Sequence, residues 1–116
     1  MAMEVAEAAP EYLQLSLAMI RKAVANQPGV LLDQAHLADC FFNLGKAHAL
    51  RAVQIEAALA KQSAWQEARN YYQQCLAIWQ DWPNKAASTI YDQSRASAVR
   101  QSLAQCDTAL ARLAAK

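Results

Sequence analysis

The sequence predicts an all-α fold of antiparallel helix hairpins, and three observations carry that prediction. Ala, Leu and Gln dominate the chain, and with Arg and Glu they are the residues that lose least on entering a helix. Gly occurs at only two positions and Pro at three, so helix breakers are few and widely spaced. Between them, apolar residues recur at intervals of three and four, the period of a helix with one buried face. β-branched residues are too sparse to build a sheet. At 116 residues the chain reads as one domain, residues 1–116, long enough to bury roughly two-thirds of the surface its unfolded form exposes.

The first helix is expected over residues 10–27. Pro10 suits a first turn, where its missing N–H is not needed. Leu13, Leu17, Ile20 and Val24, spaced 4-3-4, form one face. Pro28 cannot continue the helix, and Gly29 frees the chain to turn. A second helix starts between Val30 and Asp33 and carries Leu37, Phe41, Leu44, His48, Val53, Ile55 and Leu59. With no breaker before Gln62, it is expected to run about 28 residues, well above the usual helix length. Gly45 in its middle costs about 1 kcal/mol against Ala, which points to a packing reason, the close approach of a neighbouring helix.

Ser63 and Gln66 make a Ser-x-x-Gln capping box that starts a third helix carrying Trp65, Ala68, Tyr72, Cys75, Leu76 and Trp79. This helix is expected to end near Trp82, with a turn over residues 83–88. A last helix starts between Ser88 and Ser94. Its seam of Val99, Leu103, Cys106, Leu110 and Leu113 lies opposite Arg100, Gln101, Gln105, Asp107 and Arg112, as befits a helix that caps a helical array over residues 88–114.

Charge excludes one class of partner. Eleven basic and ten acidic residues leave a net charge of +1, without the basic face that nucleic acid requires. No apolar run approaches the ~18 residues of a membrane span. Residues 1–10 hold two Glu and no basic residue, unlike a signal peptide. A cytoplasmic location is expected, with neither nucleic acid nor membrane as partner. Cys40, Cys75 and Cys106, odd in number and widely spaced, form no disulfide framework or zinc motif and read as small buried hydrophobes.

The chain repeats against itself at an offset of 59 residues: Ala9, Tyr12, Gln14, Leu17 and Ala18 meet Ala68, Tyr71, Gln73, Leu76 and Ala77. Phe41-x2-Leu44-Gly45-x2-His48 resembles the first helix of a tetratricopeptide repeat, and Ala68-x3-Tyr72-x2-Cys75 resembles the second. His48 stands where that family carries Tyr, Cys75 where it carries Ala, and about eleven extra residues separate the halves, close to three helical turns. The resemblance implies a partial repeat helix over residues 10–27, an elongated hairpin over residues 30–82 and the capping helix. Trp65-Gln66-Glu67-Ala68-Arg69 and Leu76-Ala77-Ile78-Trp79 further resemble the repeat tails of bacterial eukaryotic-like serine/threonine kinases. The kinase motifs themselves, a Gly-rich loop, His-Arg-Asp and Asp-Phe-Gly, do not occur.

Tetratricopeptide folds bind other proteins in a groove lined by the first helix of each hairpin. By resemblance the groove residues are Asp39, Phe42, Asn43, Lys46, Ala49 and Leu50, with Asn43 and Lys46 of the kind that hold a peptide backbone or carboxylate. Of the three tryptophans, Trp82, at a helix end before Pro83, is expected to be exposed and available as a binding anchor. The function expected is that of a scaffold or adaptor binding a peptide or helix, without catalytic residues, cofactor or metal. Two alternatives stand beside it. One is a structural bundle that self-associates through the 99–113 seam or the 13–24 face. The other is a small metal or Cys–His protein using His36, Cys40 and His48, with Asp33 near His36.

Overall fold

Helix propensity along the chain is realised as four helices: α1 (Ala2–Asn26), α2 (Leu31–Gln54), α3 (Ala58–Lys85) and α4 (Ile90–Ala114). The structure, a computed structural model, describes the backbone over residues 2–85 and 89–115 and the side chains over residues 11–84 and 89–115. Among these residues there is no strand, and the fold is all-α. Each helix packs on the next, α1 on α2, α2 on α3 and α3 on α4. The pairs are antiparallel. Near the α2–α3 turn Lys61 reaches the Ile55 carbonyl, while further away Phe42 meets Tyr72. Likewise Trp79 meets Tyr91 near the α3–α4 connection, and Arg69 meets Asp107 far from it.

The predicted faces point inward. Leu17 of α1 joins Ala38, Cys40, Phe41 and Leu44 of α2, Ala68, Tyr72, Cys75 and Trp79 of α3, and Ala96, Val99 and Cys106 of α4 in one core. Leu13, Ile20 and Leu103 pack against it. Burial of such side chains, at about 1.5–3 kcal/mol each, is the main force holding the array. Leu13, Leu17 and Ile20 of the 13–24 face and Val99, Leu103 and Cys106 of the 99–113 seam are therefore taken up by the fold itself.

Several expected boundaries move. α1 begins at Ala2, not Pro10, because the Ala- and Glu-rich stretch ahead of the proline is itself strongly helix-forming. The α1–α2 turn at residues 27–30 needs no left-handed glycine: Gly29 has an ordinary φ, and Gln34 Nε2 donates to the Pro28 carbonyl at 3.3 Å. α2 stops at Gln54 rather than running to Gln62, and Ile55 leaves the helix in an extended conformation (φ −79°, ψ 133°). No breaker marks this turn. It lies close to midway between Gly45 and Tyr72, where an antiparallel pair must reverse for those residues to meet. Ser63 is consequently inside α3 and caps nothing, and the unusually long helix is α3, at 28 residues. Pro83 is also inside α3, in its last turn, with only two helical residues after it. Of the expected 83–88 turn, residues 86–88 lie outside the described residues.

α4 begins within the expected window, on a capping box the sequence reading passed over. The Thr89 hydroxyl accepts from the Tyr91 amide at 3.2 Å, and Asp92 accepts from the Thr89 amide. The Asp92 charge also lies in the first turn, where the helix dipole favours it.

Gly45 has the packing reason its position demands. A Cβ built there would lie 2.6 Å from the nearest carbon of the Tyr72 ring, which fills the space a side chain would need. Tyr72 is buried and cannot swing away freely. Gly45→Ala should therefore destabilise the protein by about 1 kcal/mol. Overpacking at 1–3 kcal/mol outweighs the ~1 kcal/mol gain in helix propensity. Urea denaturation measures this, and in a Tyr72→Leu background the same substitution should become neutral or stabilising.

Candidate functional site

α3 is flanked by α2 and α4, and the space above it forms a shallow cleft of about 20 Å³. Asp39 and Phe42 of α2 line one wall, Arg95, Ala98 and Val99 of α4 the other, and Cys75 and Trp79 of α3 the floor. The floor is apolar because positions 75 and 79 are one helical turn apart on the core face of α3. Burial pushes the Cys75 thiol up to about 12, against a smaller lowering by the neighbouring Trp79 indole. Trp79, 2 % exposed, is held by Trp82 at 5.0 Å and by Tyr91 edge-on at 5.9 Å.

Charge is confined to the rim. Arg95 Nη1 lies 3.6 Å from Asp39 Oδ1, bridging the two walls. Its Nη2 donates to the Tyr91 hydroxyl at 2.9 Å, and its guanidinium lies over the Tyr91 ring. Along α2, Asp39, Phe42, Asn43, Lys46 and Leu50 follow one another on a single face, as 3.6-residue spacing requires. Phe42 is half-buried against Tyr72 with the Lys46 ammonium 5.5 Å from its ring centroid, whereas Asn43, Lys46 and Leu50 are exposed. Ala49 is half-buried and packs against the core.

Trp82 departs from expectation. It is half-buried on Trp79, because α3 continues through Pro83 and keeps the side chain on the helix instead of releasing it into a turn. Arg95, Ala98 and Trp79 were not foreseen as site residues. Trp79 reads as a core position in the sequence, and nothing local tells that α4 returns beside α2.

The remaining reactive groups are separated or neutralised by packing. His36 is exposed, but Cys40, four residues on, is buried with its thiol 3.6 Å from the Leu13 carbonyl. Burial raises the Cys40 thiol pKa and pushes Cys106 up to about 11. All three cysteines are free and buried. Among the described residues no group of three or more His, Cys, Asp or Glu stands together in the manner of a metal site. A larger, more open depression of about 430 Å³ is bordered by Gln14, His48, Arg51, Glu67 and Tyr71. There His48 stacks on Tyr71 at 5.4 Å, and burial lowers its pKa more than the nearby Glu67 carboxylate raises it.

No protein family matches the chain, nor does any curated protein or solved structure. Among the described residues, no helix is long and apolar enough to cross a membrane.

His48 makes stability pH-dependent with a definite sign. Its folded pKa lies below the unfolded value, so protonation favours the unfolded chain. Its contribution is present above about pH 6.5 and is lost as pH falls through the folded pKa. Thermal melts taken between neutral and mildly acidic pH should show the natural protein losing more Tm than His48→Phe. Parallel curves would show that His48 does not titrate into the unfolded state.

Proposed function

We propose that this chain is a non-catalytic protein-interaction module, a scaffold or adaptor. It seats a peptide or helix of a partner protein along α2, across the shallow cleft between α2 and α4. The observation that carries this reading is the shape and chemistry of the cleft: an apolar floor of Cys75 and Trp79, aromatic Phe42 in one wall and a single ion pair at the rim. At about 20 Å³ it is far below the ~300–1,000 Å³ of typical small-molecule sites and has room for about one water, so a guest would lie across it. Beside it, exposed Asn43 and Lys46 offer hydrogen bonds and positive charge to the guest's backbone or carboxylates.

The tetratricopeptide resemblance supports the same reading, since the first helix of that hairpin lines the family's groove, and α2 is the helix that carries Asp39 to Leu50. The likeness to bacterial kinase tails favours a signalling setting. Three free cysteines suit a reducing cytoplasm.

Peptides selected from a displayed random library should shift the amide resonances of Phe42, Asn43, Lys46 and Arg95. A combined Asn43→Ala/Lys46→Ala variant, altered only at exposed positions, should bind them at least tenfold more weakly with an unchanged melting curve. Selected peptides that shift only residues away from α2 and α4, or that bind the variant equally well, would remove this cleft as the site.

A further inference from the structure

α1 is the end helix of the array, and its outward face has no cover among the described residues. Tyr12, Leu15 and Met19 are 70 %, 69 % and 73 % exposed. This is the kind of face that packs elsewhere in the same chain. Tyr71, which corresponds to Tyr12 in the internal repeat, is half-buried against Phe41 and His48 of α2. Tyr12 has the same side chain and no such neighbour.

The outward face also carries an ordered stripe. Glu11, Leu15, Ala18 and Lys22 follow at i, i+4, i+7 and i+11, and all four are exposed. Read forward, the stripe is acid, large apolar, small apolar, base. A second copy lying antiparallel across it presents the same four in reverse. Each position then meets its complement: Glu11 faces Lys22 of the other copy, and Leu15 faces Ala18, large on small. A twofold axis between Leu15 and Ala18 repeats both contacts, as a closed dimer requires. Tyr12 and Met19 flank the seam on one side and extend its apolar area.

We infer that the outward face of α1 is a homodimer interface, formed by antiparallel pairing of α1 with α1 of a second copy through the Glu11–Leu15–Ala18–Lys22 seam. One helix pair buries less than the ~1,200 Å² of a standard interface, so monomer and dimer exchange with concentration. None of these residues lines the α2–α4 cleft, so this interface stands or falls independently of the proposed binding function.

Sedimentation equilibrium over a concentration series tests it. The natural chain should approach twice the monomer mass at the upper end. Glu11→Lys and Lys22→Glu should each associate at least tenfold more weakly, since each sets like charges against each other. Mixed in equal amounts, the two variants should recover the dimer, because opposite charges then face at both ends of the seam. Leu15→Glu should stay monomeric with unchanged helical circular dichroism. A natural chain that remains monomeric throughout overturns the inference, including where this face captures a different protein. So does a dimer that both charge variants leave intact, or a mixture that fails to recover it.

Discussion

The approach of Tyr72 to Gly45 is the contact on which the rest of the structure depends. The ring occupies the volume a side chain at position 45 would need, and so sets how closely α3 lies against α2. Burial raises the phenol of the same side chain to about 12, against a smaller lowering by Ser102 of α4, so it stays neutral across the physiological range. One residue thus touches both neighbours of α3. The next turns of that helix present Cys75 and Trp79 between walls whose separation Tyr72 has already established.

Within the cleft, apolar and charged groups have different jobs. Cys75, Trp79 and Val99 are almost fully buried and belong as much to the core as to the site, so the floor is rigid before any guest arrives. The Asp39–Arg95 pair is more than a third exposed on both sides. Pairs of that kind contribute about 0–1 kcal/mol, and a guest that displaces this one gives up little stability. The rim is therefore adaptable where the floor is not. The Arg69–Asp107 pair between α3 and α4, similarly exposed, adds orientation more than energy.

An array in which each helix packs on the next has two ends. At the C-terminal end α4 turns Arg100, Gln101 and Gln105 outward, a polar face that closes the array. At the N-terminal end α1 turns Tyr12, Leu15 and Met19 outward, and apolar surface of this kind at the end of a helical stack is where a further helix packs. The two ends are thus chemically unlike, although both helices bury comparable stripes inward.

Four helices, their order and their buried faces were legible in the sequence. Propensity and apolar period are local properties, and Leu17, Leu44, Val99 and Cys106 announce themselves by spacing alone. Gly45 announced a close contact, because a glycine in mid-helix is costly unless something fills its place. The common face of Asp39, Phe42, Asn43, Lys46 and Leu50 on one helix was legible too. The turn at residues 55–57, the passage of α3 through Pro83, the covering of Trp82 by Trp79 and the meeting of Arg95 with Asp39 were decided by the tertiary structure alone. Each depends on residues far apart in the chain being brought together by antiparallel packing, and no local pattern of side chains carries that distance.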